Sequence, residues 1–391
     1  MVNKINGIKV FCFALIIFVA CNPDTNNNGG NVNLNPSNVG NPSQVTSNLQ
    51  SIANDLVAKY GITGMVVSIK DRNGVVTSAA AHPGSAIIQW VDVNKQFRIG
   101  SISKMFTATL LLMLQDENLI NIDQPVLPSG VTTRMLLNHT GATGDYITNP
   151  QLMSLQNCSE PPVGPASSSQ PYLPYQVWTM PQLISFSLVN SIPGIFAYSN
   201  TGYMIAGKQA EYVGRVPADP NATPHLNSLM ASRIFIPLGM VSTVFQETFT
   251  KPINLVSGYD VFSDCNLYDV TNIEPSLFNS AGSICTTASD LHIFLSALFG
   301  GKLVSKSGLQ QMLTTVPMSQ TSYYGLGIKV EYSPTGKLIY YHDGAVPGYE
   351  SLAIYYPASG ISIVILVNTY TTPWSTSAIN EAYSIVDQLV N

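Results

Sequence analysis

Ser101 and Lys104 stand three residues apart where a short apolar strand, residues 97–99, runs into a helical pattern. That spacing puts both side chains on one helix face, so a hydroxyl lies beside an amine. A serine hydroxyl is a weak nucleophile at neutral pH. A lysine whose pKa is lowered by burial can be its base, or support the base. The unpaired N–H groups and positive dipole end of the helix suit an oxyanion forming at an attacked carbonyl. Lys104 is the only lysine with a serine three positions before it, and Ser103, adjacent to it, points elsewhere and is the weaker candidate. By itself Ser-x-x-Lys reads first as an amphipathic helix carrying a surface lysine; two further motifs reverse that reading.

The second motif is Tyr198-Ser199-Asn200, entered through turn residues and followed by a helix-compatible run over 204–212. A phenol relays a proton if cations lower its pKa, and an amide both donates to and accepts from a substrate peptide bond. The bland alternative is a packed ring and a turn residue. The third motif is His342-Asp343-Gly344, between a strand-like run over 338–341 and Ala345-Val346-Pro347-Gly348-Tyr349. A glycine on an edge strand lets a substrate backbone approach closely, and a neighbouring main-chain N–H can complete an oxyanion hole with that of Ser101.

The elements that must position these motifs sit in a chain of 391 residues, long enough for one large domain or two lobes. Charged residues make up 10% of it and the net charge is −5. The five arginines, at 72, 98, 134, 215 and 233, are scattered, so nothing recommends nucleic acid as a partner, and no Gly-rich loop precedes a Lys-Ser/Thr pair. Residues 1–21 read as an export signal: Lys4 and Lys9 precede an apolar run over 10–20 that is too short to span a membrane. The run ends in Phe18-Val19-Ala20-Cys21, which resembles a lipobox with Cys21 as the lipidated residue; a plain secretory signal cut nearby is the alternative. Residues 22–45, rich in Asn, Gly, Pro, Ser and Thr, read as a flexible tether. Cys158, Cys265 and Cys285 allow at most one internal disulfide, of unspecified pairing. No Cys or His spacing suits a zinc site.

Residues 45–60 carry apolar side chains at helical spacing. Runs over 65–70 and 75–80 flank Asn73-Gly74, a strong hairpin signal. Runs over 351–356 and 361–367 flank Pro357-Ala358-Ser359-Gly360 as a second hairpin, and 374–391 closes as a helix with one apolar stripe. Residues 147–178 form a long loop without periodicity, either a wall over the site or a surface excursion. Strands near both ends with helices between them predict an α/β (α+β) architecture over 46–391. One lobe is built from both termini, and a helical lobe over approximately 103–250 is inserted into it.

Ser101-x-x-Lys104, Tyr198-x-Asn200 and His342-x-Gly344, in that order, resemble the three signatures of the serine β-lactamase and penicillin-binding superfamily. The branch is class C, with its serine D-alanyl-D-alanine carboxypeptidases and related esterases. Leu136-Leu137-Asn138-His139-Thr140, Pro237-Leu238-Gly239-Met240, Tyr324-Gly325-Leu326-Gly327 and Pro347-Gly348-Tyr349 agree with it. The resemblance implies a class C β-lactamase-like fold, an antiparallel sheet flanked by terminal helices. It also implies an acyl-enzyme on Ser101, proton transfer shared by Lys104 and Tyr198, and Asn200 holding the substrate amide. His342 would help set the field at Tyr198, and the N–H groups of Ser101 and Ala345 would form the oxyanion hole. No metal or organic cofactor is implied. The expected substrate is a D-Ala-D-Ala peptide or β-lactam, with a small-molecule ester or amide as the alternative and a non-catalytic wall-peptide receptor behind both. The expected location is the bacterial cell envelope, through a lipid anchor, or secretion. Members that cleave D-Ala-D-Ala or β-lactams commonly carry Thr or Ser where this chain has Asp343, so the third motif supports the superfamily better than the substrate.

Overall fold

The computed structural model describes residues 42–84, 88–150, 152, 176–187, 191–214, 225–261, 266–371 and 374–390. Residues 1–21, read above as an export signal with Cys21, most of the stretch read as a tether, Cys158, Cys265 and most of residues 147–178 lie outside the described residues.

Leu49, Ile52, Ala53, Leu56 and Val57 recur at helical spacing and form the buried stripe of α1 (Pro42–Tyr60). It starts three residues before the apolar pattern does, because a first-turn proline gives up no helical hydrogen bond. Asn73-Gly74 turns the chain between β1 (Met65–Lys70) and β2 (Val76–Ala81), with Gly74 at φ +87°. The strand Phe97–Arg98 then enters a 3-10 turn, Gly100–Ile102, that opens into α2 (Ser103–Asp116). Two more helices, α3 (Asn200–Val213) and α4 (Ala288–Phe299), belong to the middle of the chain. The last third supplies β3 (Val316–Pro317), β4 (Tyr323–Tyr324), β5 (Lys329–Tyr332), β6 (Leu338–Val346), β7 (Tyr349–Tyr356) and β8 (Ile361–Val367). It ends in α5 (Trp374–Leu389).

These strands make an eight-stranded sheet in the order β2-β1-β8-β7-β6-β5-β4-β3. The two ends of the chain meet in its interior, where β1 runs antiparallel to β8 with Met65 opposite Val367 and Lys70 opposite Ser362. The run Ile-Ser-Ile-Val-Ile-Leu-Val of β8 is buried on both faces, which is why it lacks polar alternation. Ile363, Ile365 and Val367, with Leu352 and Ile354 of β7, meet α1 and α5 in one core. Val364, Leu366 and Ala353 face the other way, into a larger core shared with Phe106, Leu110 and Leu111 of α2 and Phe294 of α4. The sheet is thus covered on both faces, and the Ser101 turn lies against the end of β6 on the side of the larger core.

Candidate active site

The turn that carries Ser101 is locked to the sheet by two glycines. Gly100 has φ +48°, and a Cβ there would lie 2.6 Å from the backbone nitrogen of Ala345. A Cβ on Gly344 would lie 1.9 Å from the carbonyl oxygen of Ile99. Only hydrogen at both positions lets the two backbones touch, and this contact brings the Ala345 N–H beside the Ser101 turn. The close approach at Gly344 is therefore to the protein's own Ile99 carbonyl. β6 also departs from the edge strand expected from sequence: β5 covers it over Leu338–Tyr341. From His342 to Val346, among the described residues, only β7 pairs with it. The strand is interior at one end and one-sided at the end nearest Ser101.

Lys104 is fully buried, whereas Ser101, Tyr198 and Asn200 stay partly open to solvent. The Lys104 Nζ lies 2.9 Å from Ser101 Oγ, 2.7 Å from Asn200 Oδ1 and 2.9 Å from the Ala281 carbonyl oxygen. A charged ammonium spends its three protons on these three acceptors. A neutral amine keeps two donors for Asn200 and Ala281 and turns its lone pair to the Ser101 hydroxyl. Both protonation states therefore fit without rearrangement. Burial pushes the amine down to about 7, against the opposing pull of Asp145 and Asp343.

Tyr198 donates from its hydroxyl to Ser101 Oγ at 2.9 Å. A phenol reads as a proton relay if cations lower its pKa; burial instead holds this one well above its ordinary value, with the hydrogen bond to Ser101 only partly offsetting that. The phenol keeps its proton at neutral pH, and Lys104 is the group poised to accept one. Ser199, the middle of the motif, is the N-cap of α3: its Oγ accepts from Gly202 N at 2.9 Å. The cap fixes Tyr198 just outside the helix and Asn200 at its first position. His139 braces the pair from behind. Its Nδ1 accepts from Ser199 N at 3.0 Å, and its ring lies 4.2 Å from that of Tyr198 and 4.6 Å from that of Tyr324, centroid to centroid.

Asn200 was expected to hold a substrate amide; in the structure its own amide bridges two charged groups. Oδ1 accepts from Lys104, and Nδ2 lies 3.1 Å from Asp145 Oδ2 and 3.3 Å from Oδ1. Asp145 was missed by the sequence reading, since a lone aspartate after a glycine-rich turn carries no spacing signal.

On the sheet side the side chains turn away from Ser101. His342 is 1% exposed, with Nε2 2.9 Å from the Tyr324 hydroxyl and Nδ1 2.5 Å from the Asp343 carbonyl oxygen. Burial drives its pKa down to about 3, so the imidazole is neutral and reaches the site through Tyr324 rather than as a cation. Asp343 alternates to the opposite face, across the ladder from Leu352, and is ion-paired with Lys329. Burial opposes its ionisation, but the Lys329 ammonium holds the carboxyl below its usual range. Ser103 is structural: its Oγ accepts from Ile284 N at 3.2 Å. Cys285 is a buried free thiol, pushed up to about 11 by burial. Among the described residues no group of three His, Cys, Asp or Glu side chains is placed to hold a metal ion, and no helix is long and apolar enough to cross a membrane.

The family model described as Beta-lactamase matches residues 49–387. Penicillin-binding protein 4* of Bacillus subtilis is 24% identical over 350 residues, covering 82% of this chain and 71% of that protein. Among solved structures, a D-stereospecific amidohydrolase from Streptomyces sp. is 27% identical with a TM-score of 0.70, over 88% of this chain and 98% of that one. The D-amino acid amidase from Ochrobactrum anthropi SV3, complexed with L-phenylalanine amide, is 23% identical with a TM-score of 0.73, over 89% and 97%. The chain belongs to the Beta-lactamase family and is a serine hydrolase of that fold.

Proposed function

We propose that this member of the family hydrolyses the amide or ester bond of a small acyl donor of the D-amino-acid type, through an acyl-enzyme on Ser101. In this reading Lys104, neutral, takes the Ser101 proton as Oγ attacks the carbonyl carbon. The oxyanion is received by the N–H groups of Ser101 and Ala345, and the leaving amine or alkoxide takes a proton from the Tyr198 hydroxyl while the Lys104 ammonium returns one to that phenol, leaving the amine neutral again. Water repeats the sequence on the acyl-enzyme and frees the acid.

The observation that carries the choice of substrate is the state of the third motif. Where a hydroxyl would help bind a substrate carboxylate, Asp343 is turned away and paired with Lys329, and His342 beside it is neutral. This wall offers no charge to a C-terminal carboxylate, which suits an amide or ester better than a carboxypeptidase substrate. The likeness to the Streptomyces amidohydrolase points the same way. The second reading, a D-alanyl-D-alanine carboxypeptidase acting outside the cytoplasm, is favoured by residues 1–21, whose pattern reads as an export signal, and by the likeness to penicillin-binding protein 4*.

A panel of D-alanine amide, D-phenylalanine amide, a short-chain nitrophenyl ester, a D-Ala-D-Ala tripeptide and a chromogenic cephalosporin separates them. Amide and ester turnover exceeding D-Ala release by tenfold or more is the expected outcome. D-Ala release equal to or faster than amide turnover selects the second reading, and turnover of none of the five sinks both.

A further inference from the structure

We propose that Asp145 is a positioning residue of this site: through Asn200 it fixes which end of that amide faces Lys104, and it supplies the lysine's countercharge. The inference rests on the acyl-enzyme reading for its catalytic meaning, but its geometry stands apart from it.

An asparagine side chain is nearly symmetrical in shape and unsymmetrical in function, since one end accepts and the other only donates. Asn200 stands between an amine and a carboxylate. Its carbonyl end must face Lys104 and its NH2 end Asp145, because a carboxylate oxygen repels a carbonyl oxygen. Lys104 donates to the same carbonyl end, so without an acceptor at 145 that one contact alone opposes the flipped amide, which would point its N–H groups at the amine.

The electrostatic part follows from what surrounds the lysine. The titratable groups facing Lys104 are Asp145, Asp343 and Lys329, the imidazoles of His139 and His342, and the rings of Tyr198 and Tyr203. Those facing Asp145 are Lys104, Tyr146 and Tyr198. Asp343 spends its charge on Lys329, and burial keeps both imidazoles and the phenols uncharged. Asp145 is 8% exposed and, among the described residues, forms no ion pair of its own; its partners are Asn200 and the Ile147 N–H. Burial raises its carboxyl to about 6, against the pull of Lys104, so at and above neutrality it is an ionised, uncommitted charge one amide away from the buried amine. Its bond to Ile147 also caps the 3-10 turn Tyr146–Thr148. The test must therefore read more than stability.

Asp145→Asn keeps the cap and an acceptor for Asn200 but removes the charge. The measurement is the titration of Lys104 followed by NMR on lysine-labelled protein, its signal assigned by absence in Lys104→Arg. Loss of a nearby negative charge makes the protonated amine harder to keep. The midpoint is thus expected to fall by about half a pH unit or more in Asp145→Asn and to stay put in Asp387→Asn, a buried carboxylate beside Tyr356. An unmoved midpoint in Asp145→Asn, or the same fall in both variants, overturns the proposal. Should Asp145→Asn not fold, the wild type answers alone. Its Asp145 carboxyl-carbon signal must inflect at the lysine midpoint, and a curve with no such inflection overturns it. Neither readout needs turnover, so a protein that fails to acylate at Ser101 yet shows the shift defeats the acyl-enzyme reading and leaves this one standing.

Discussion

The two walls of the Ser101 cleft are built on opposite rules. On the helical side Lys104, Tyr198 and Asn200 work through side-chain atoms: the Lys104 amine and the Tyr198 phenol each lie 2.9 Å from Ser101 Oγ, and Asn200 holds the amine. On the sheet side His342 and Asp343 spend their polar atoms on Tyr324 and Lys329, and what reaches Ser101 is backbone, brought in by Gly100 and Gly344. Three-letter motifs of similar appearance in the sequence thus contribute different things. One wall supplies proton chemistry and can be disabled by changing a functional group. The other supplies shape and main-chain donors and is disabled by adding an atom.

The largest test of that contrast is Lys104→Ala, for which we expect acylation to fall by about a thousandfold or more with the fold intact. The pH profile of the wild type adds the sign. The neutral amine is the base and burial sets its midpoint at about 7, so the acylation rate rises as pH passes upward through about 7 and falls below it as the amine takes up a proton. A rate that stays low through neutrality and rises only in strong alkali, where the buried phenol would lose its proton, would instead make Tyr198 the base.

Gly344→Ala comes next and acts on stability rather than on a functional group. With a Cβ 1.9 Å from the Ile99 oxygen, the strand and the Ser101 turn must separate. The expected cost is about 3 kcal/mol in denaturant unfolding, with acylation lost alongside it. A fully stable and active Gly344→Ala would show that the sheet wall does not work through backbone proximity. The smallest effect is expected of His342→Gln. Glutamine keeps a neutral hydrogen-bonding partner for Tyr324, so acylation should change by less than about tenfold. A thousandfold loss would erase the distinction between the walls.

Much of the frame was legible before the structure, for local reasons. The stripe at 49–57, the Asn73-Gly74 turn, the hairpin at 357–360 and the C-terminal helix each follow from periodicity or turn chemistry within a dozen residues. The pairing of β1 with β8 does not, because register between strands some 300 residues apart is set by packing on both faces of the sheet. The site divides the same way. Ser101 and Lys104 share one helix turn and could be read from spacing, and Tyr198 and Asn200 from motif order. Asp145, the Tyr324 partner of His342 and the Lys329 partner of Asp343 are contacts between segments, and only the fold reveals them. The condition placed on Tyr198, a pKa lowered by cations, is not met, and the sequence could not decide it because it lists nearby charges but not how deeply a ring is buried.

The most direct measurement is intact-mass analysis after exposure to a fluorophosphonate, on wild type and Ser101→Ala side by side. The account predicts one stoichiometric adduct on the wild type, mapped to Ser101, and none on the variant. An adduct of equal yield on Ser101→Ala, or an unmodified wild type at pH 8 where Lys104 is neutral, would contradict it.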